Sequence, residues 1–462
     1  MNISKRSERF FTEASILLKL GFPLIISHLA IIGMGATDTL MAGRVNTANL
    51  AGLAIGSGIW SALSVFILGI CGSTATIAAQ LHGARRRSRI GFQMQQSLWI
   101  GLATALIIAS ILICAPFWIP RLNLGDTANT ISAHYLSVLS LGCIGFTLTA
   151  VLRGICEAVG DTHLAMWTNI SIFLLNIVLD YAFVFGKWGL PEMGAIGCAW
   201  ASNCAYWIAF GILFIILQRH SVYRTYHLFS KLWRPQLRHA KAHLAIGVPL
   251  AIGVSAEVFF FTGIASFAAP LGDTAVAAHQ IVQSFGAVLY MMPLGLSVAL
   301  CIRCAQLRGA NQTTQAAFAA RSGVAVAASL ALLSAIITLL LRDWVPGWYT
   351  PDLKVQRIAS DVLILCAIYQ FMDAIQATSW GALRGYGDVK VPMGMQLTAY
   401  WVVGFPIGWG LAYPSNLGIF GFWIGIVSGL STAAVLMGVR LLYRIRVEQR
   451  QQQPLSLDSS SS

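Results

Sequence analysis

Four carboxylates stand where hydropathy should exclude them. Asp38, Asp180, Glu257 and Asp373 each interrupt a run of otherwise apolar residues, as Glu257 does in "GVSAEVFFFTG" at 253–263. An ionisable group surrounded by hydrocarbon is costly, so it normally faces a cavity or a partner. There a carboxylate can hold a proton, a metal cation or an organic cation. Asn176 precedes Asp180 by four residues and shares its helical face. Asp38 lies six residues before Arg44, and Asp180 seven before Lys187, which puts the two acids at about the same depth along their helices. Glu257 and Asp373 lie well inside their own stretches, 16 residues after Lys241 and 11 before Arg384. Other chemistries find little support. "CIRC" at 301–304 is a lone C-x-x-C pair, and "HAKAH" offers His239 and His243 on one helical face without a third ligand nearby. H-E-x-x-H, G-x-S-x-G and Walker A patterns are absent, so neither covalent catalysis nor direct drive by ATP is expected.

The elements that position these acids follow from composition. Of the 462 residues, 57% are hydrophobic and 10% charged, with a mean hydropathy of +0.71. That is a polytopic membrane protein. Apolar runs long enough to cross hydrocarbon as helices occur at about 15–42, 50–80, 95–119, 130–157, 163–186, 194–217, 243–269, 276–306, 317–341, 355–383, 391–412 and 418–442. The runs are continuous rather than alternating, which favours helices over barrel strands. The fold class expected is therefore all-α, with twelve transmembrane helices.

Charge placement sets the orientation. "RRRSR" between the second and third spans, and Arg219, Arg224, Lys231, Arg234, Arg238 and Lys241 between the sixth and seventh, lie on one side with the basic residues near both ends of the chain. The positive-inside rule makes that side, and both termini, cytoplasmic. The net charge of +13 is then a basic inner rim facing anionic lipid, and nucleic acid is not needed to explain it. The first residues do not read as a removable signal peptide. Nine cysteines fall mostly inside spans and imply no disulfide framework. The polar end, "VEQRQQQPLSLDSSSS", reads as disordered.

The sequence also repeats itself. At an offset of 226, Gly21 pairs with Gly247, Pro23 with Pro249, Ala51 with Ala277, Gly69 with Gly295, and "QLHGA" at 80–84 with "QLRGA" at 306–310. Each repeat holds six spans, so both halves enter the membrane from the same side. The two lobes are then a parallel repeat about an axis along the membrane normal, an arrangement that places substrate between lobes. The expected organisation is a cytoplasmic N-terminus at 1–14, an N-lobe at 15–217, an inter-lobe loop at 218–242, a C-lobe at 243–443 and a tail at 444–462. The same offset sets Ile31 opposite Glu257 and Ile264 opposite Asp38. The acids therefore do not answer a need common to both lobes, which favours function over scaffolding.

Several stretches carry a resemblance to a known family: "GATDTLMAG" at 35–43, "AIGSGIW" at 54–60, "LLNIVLDYAFVFGKWGLPEMGAIGCAWAS" at 174–202, "AEVFFF" at 256–261, "AAHQI" at 277–281, "YQFMDAIQ" at 369–376, "LRGYGD" at 383–388 and "GFWIG" at 421–425. In order and spacing they resemble the multidrug and toxic compound extrusion transporters, in particular the bacterial NorM-like branch, over essentially the whole chain. The resemblance implies two six-helix lobes around a central cleft in the bacterial inner membrane, and a monomer. It implies that Asp38, Asn176, Asp180 and Ser202 form a polar network in the first lobe. It implies that Glu257, Tyr369 and Asp373 form a cation site in the second, with Glu257 and Asp373 as ligands if the ion is sodium. Asp180 departs from the branch, which usually has Asn there.

The activity so implied is antiport of sodium ion or proton against cationic or apolar small molecules, with no cofactor. "VFFF" beside Glu257, with Tyr290, Met291, Met292 and Trp380 in the same lobe, offers aromatic and thioether surface for flat cations. The alternative is a flippase for lipid-linked oligosaccharide on a related two-lobe plan. A phosphate-bearing headgroup calls for cationic residues in the cleft, whereas the charges inside the spans here are acidic.

Overall fold

The computed structural model describes residues 3–122, 125–229 and 231–452. Among the described residues, eleven helices are long and apolar enough to cross a membrane. They are α1 (Ile3–Val45), α2 (Thr47–Gly83), α3 (Arg87–Ile113), α4 (Asp126–Ala158), α5 (Thr162–Val184), α6 (Ala195–Arg219), α7 (Leu237–Ala268), α8 (Asp273–Gly309), α9 (Thr313–Leu341), α10 (Leu353–Gly385) and, last in the chain, α12 (Ile419–Gln452). The stretch expected as an unbroken span at 391–412 is α11, made of three consecutive pieces: Lys390–Leu397, a π-helical segment Thr398–Gly404, and Phe405–Ala412. Eleven of the twelve expected spans are thus single helices of membrane-crossing length, and the stretch expected as the eleventh in order is three shorter pieces. No strand occurs among the described residues.

Polar side chains mark where helices begin. Asn46 accepts from the Asn49 backbone N–H at 2.8 Å ahead of α2, Asp161 from Leu164 at 3.2 Å ahead of α5, and Asp352 from Lys354 at 2.8 Å ahead of α10. Each satisfies a donor that the first helical turn leaves without an intrahelical partner.

The internal repeat is visible in the backbone. Arg85 and Asn311, paired by the offset of the two halves, both adopt left-handed conformations, with φ of 56° and 60°. The chain then closes in the same way at each place: Arg86 N–H donates to Leu81 O at 3.0 Å, and Gln312 N–H to Leu307 O at 2.9 Å. Gly160 and Gly387 repeat the device after α4 and α10, with φ of 91° and 73°, where a Cβ would oppose the turn.

Two compact units partition the chain, and their borders fall inside helices. One unit is Pro23–Ser255; the other comprises the residues before Pro23 together with those from Ala256 onward. The borders cut α1 and α7, each of which carries an internal proline, Pro23 and Pro249. The lobes expected at 15–217 and 243–443 rest on the sequence repeat, whereas the units follow packing: residues 15–22 fall in the unit that holds Ala256 onward, and 218–255 in the Pro23–Ser255 unit.

Within the Pro23–Ser255 unit the core gathers Ile67, Ile108, Leu112, Leu136, Leu139 and Ala199, all at most 4% exposed. The loop after α6 is not free chain. Gln95 of α3 donates to the carbonyls of Leu228 (2.9 Å) and Lys231 (2.7 Å) and accepts from the Trp233 N–H (2.7 Å). Its neighbour Gln96 donates to Arg234 O (3.0 Å) and accepts from the Gln236 N–H (2.8 Å). The imidazoles of "HAKAH" are held in the same region. Gln93 bridges His239 (3.0 Å) and His243 (3.1 Å), and Ser73 lies 3.1 Å from His243. His243 is 1% exposed.

In the second unit, α11 and α12 approach through glycines. A methyl group at Gly425 would meet Gly408 Cα at 2.5 Å and Gly404 O at 2.6 Å, and one at Gly429 would meet Gly404 Cα at 3.3 Å. Small residues spaced four apart let membrane helices bring their backbones together, where apolar side chains gain little by leaving lipid. Ion pairs tie the ends of this unit: Glu13 of α1 with Arg303 (2.7 Å), Glu448 with Arg308 (2.7 Å), and Asp388 with Arg440 (2.8 Å). These last contacts explain why the tail expected from 444 remains helical to Gln452, with Ile445 buried; residues 453–462 lie outside the described part.

Candidate ion and substrate sites

The Pro23–Ser255 unit brings Asp38 of α1 together with Asn176 and Asp180 of α5 and Ser202 of α6. All four are buried, Asn176 and Asp180 completely. With its amide nitrogen toward the acids, Asn176 donates to Asp180 Oδ2 at 3.1 Å and to Asp38 Oδ1 at 3.2 Å. The other end of that amide lies 3.4 Å from the Ser202 hydroxyl. The helical spacing that put Asn176 and Asp180 on one face is what lets one amide serve both carboxylates. Two buried carboxylates meeting across a single amide set like charges close together, an arrangement that a shared proton or cation makes less costly.

Cys198, which sequence reasoning passed over, belongs to this centre. One ligand atom each from Asp38, Asp180 and Cys198 lie within 4.8 Å of one another, and the Cys198 thiol points at the Asp38 carbonyl from 3.8 Å. Among the described residues, Asp180 Oδ1 finds no hydrogen-bond partner. The signal available was a thiol four residues before Ser202, one helical turn away in α6.

The other unit brings together Glu257 of α7 with Tyr369 and Asp373 of α10. Glu257 is 8% exposed and Asp373 2%. Tyr369 and Asp373 are four residues apart on α10 and line one small cavity, of about 10 Å³, with Tyr290 and Gln370. The hydroxyls of Tyr290, Tyr369 and Tyr400 all lie within electrostatic reach of both Glu257 and Asp373. Gln396 was not foreseen. It donates from Nε2 to Glu257 Oε2 at 2.6 Å, from the residue pair immediately before the π-helical segment. A buried amide within an apolar run was the signal in the sequence. Among the described residues, Asp373 Oδ1, Gln396 Oε1 and the Tyr400 hydroxyl find no hydrogen-bond partner. Oxygen atoms of this kind suit a hard cation or a proton.

The aromatic run beside Glu257 divides. Phe260 is buried and stacks on Tyr400, with ring centroids 5.1 Å apart and planes at 10°. Phe261 lies 6.2 Å from the Tyr369 ring, while Phe259 is 52% exposed. Tyr290 and Met292 border the cavity beside Asp373, and Trp380 is buried in α10.

Known proteins share this architecture. The MatE family model matches the chain twice, at residues 23–182 and 249–409, and the two matches begin at the residues, Pro23 and Pro249, that the sequence repeat pairs. Multidrug resistance protein NorM of Vibrio vulnificus is 34% identical over 437 residues, covering 94% of this chain and 96% of that protein. Multidrug resistance protein PmpM of Pseudomonas aeruginosa is 35% identical over 467 residues, covering 99% and 97%. Among solved structures, the outward-facing conformation of a multidrug resistance MATE family transporter superposes with a TM-score of 0.87 at 18% identity, covering 95% of this chain and 97% of that one. At that identity the likeness speaks for the fold. Taken with the sequence matches, it means that this chain belongs to the MatE family, the multidrug and toxic compound extrusion transporters.

Proposed function

We propose that the protein is a secondary active efflux transporter that exports cationic and apolar small molecules by antiport with sodium ion or proton. The observation that carries this reading is a pair of buried acidic centres, Asp38/Asn176/Asp180 in one unit and Glu257/Gln396/Asp373 in the other. The names of the related NorM and PmpM proteins, multidrug resistance proteins of bacteria, agree with it and with residence in the bacterial inner membrane.

A carboxylate withdrawn from water is costly while bare and cheaper when it holds a proton or a cation. Glu257 and Asp373 would therefore release a cationic compound as an ion takes its place, and the inward ion and outward compound would compete for the same negative charge. The three tyrosines and Phe261 add ring faces to which an organic cation is attracted. Each tenfold ion gradient supplies ~1.4 kcal/mol, and 100 mV adds ~2.3 kcal/mol per net charge moved. Exchange of one monovalent ion for one monocation moves no net charge and draws on the chemical gradient alone. Sodium, if it is the ion, would have Glu257 and Asp373 as its ligands.

Everted membrane vesicles, loaded with sodium and proton gradients separately and offered a fluorescent cation, test this reading. Uptake driven by one of the two gradients is expected. A flippase for lipid-linked oligosaccharide would leave dye movement unchanged under both, and that outcome would overturn the proposal.

A further inference from the structure

The start of α1 and the first turns of α9 form a groove outside both acidic centres. Its volume is about 460 Å³, within the ~300–1,000 Å³ usual for small-molecule sites. Ser7, Phe10 and Phe11 line one wall and Phe318, Arg321 and Ser322 the other. Each trio is spaced i, i+3, i+4, so each wall is one continuous stripe on one helix. The walls are amphiphilic: three phenyl rings, two hydroxyls and one guanidinium.

Arg9, Arg446 and Arg450 are exposed, as Arg321 is, but among the described lining residues Arg321 is the arginine of the groove. Arg303, Arg308 and Arg440 are matched by Glu13, Glu448 and Asp388. Arg321 is exposed and makes no hydrogen bond or ion pair with the described residues. Glu8, adjacent in sequence to Ser7, projects about 100° away around α1 and is not part of the groove. Arg321 lies eight residues into α9, about 12 Å along the helix, and its long stem can carry the charge to the level of lipid headgroups. Phe11 is 68% exposed, an aromatic face set beside that charge and open to whatever surrounds the protein.

The geometry points to a binding site for an anionic phospholipid, with Arg321 holding the phosphodiester and Phe10, Phe11 and Phe318 packing against the glycerol backbone and upper acyl chains. A planar guanidinium matches two phosphate oxygens at once, and basic pockets between membrane helices commonly select anionic headgroups. The site joins α1 to α9 from outside, so its occupant would hold the first turns of α1 in place.

The test uses the full chain, purified in detergent and titrated with phosphatidylglycerol or phosphatidylcholine, read by native mass spectrometry and by thermal unfolding. One phosphatidylglycerol retained per chain is expected, with a rise in Tm that phosphatidylcholine does not give. Arg321→Gln should weaken retention at least tenfold and remove the lipid-specific rise, while Arg342→Gln, on the far end of α9, should leave both unchanged. Phe11→Ala, at a side chain too exposed to matter for folding, should also weaken retention. Equal effects of the two lipids, undiminished retention by Arg321→Gln, or full displacement by inorganic phosphate at equal concentration would each overturn the assignment, the last by showing a site for free phosphate.

Discussion

Gln396 and Glu257, 139 residues apart, meet at 2.6 Å, an amide donor against a carboxylate oxygen in a buried setting. The hydrogen bond links α7 to the part of α11 just ahead of its π-helical segment, and π-helical turns concentrate at functional sites. A hydrogen bond to a charged group contributes ~1.5–3 kcal/mol. Gln396→Leu should therefore lower ion-driven dye efflux by about tenfold or more, at normal protein level in the membrane. Unchanged efflux would separate Gln396 from the transport cycle.

Glu257 and Asp373 are expected to act as one unit. In vesicles at matched expression, Glu257→Gln and Asp373→Asn should each reduce dye efflux strongly, and the double variant should be little worse than either, because members of a functional unit are not additive. Losses that add, as they do for independent positions, would mean two separate sites.

Asp38→Asn should abolish transport while the protein still reaches the membrane at near-normal level. The Asn side chain keeps the shape that Asn176 contacts but cannot carry the proton or cation. Failure of the variant to accumulate would mark Asp38 as a structural acid.

The arginine asymmetry predicts that the loop after α6 is cytoplasmic. Leu232 in that loop is 81% exposed, so Leu232→Cys, made in a background with the exposed Cys114 replaced, should resist an impermeant thiol reagent in intact cells and react once the cells are opened. Labelling in intact cells would invert the topology.

Gly425→Ala tests the contact of α11 with α12. Its methyl group would press on Gly408 Cα and Gly404 O, both backbone atoms that cannot swing aside. Overpacking of this kind costs ~1–3 kcal/mol, to be read as a lower Tm of the purified protein. Gly438→Ala, where a methyl group meets nothing within 4 Å among the described residues, should not lower Tm, because alanine favours a helix interior over glycine.

Features that depend on neighbours along the chain were legible from the order of residues alone. Transfer free energy summed over some 20 residues located the spans, and helical spacing put Asn176 and Asp180 on one face. The offset between the halves carries on to Arg85 and Asn311, whose left-handed turns the structure shows. Which distant groups meet depended on how the helices pack. Hydropathy fixes a helix's depth but not its rotation about its own axis, and rotation is what turned Gln396 onto Glu257 and Cys198 toward Asp38. The break in α11 is of the same kind: its apolar run reads as an ordinary span, and the π-helical turn coincides with close glycine packing against α12. The compact units likewise have borders inside α1 and α7, because packing follows contacts between helices, whereas the repeat follows the order of residues along the chain.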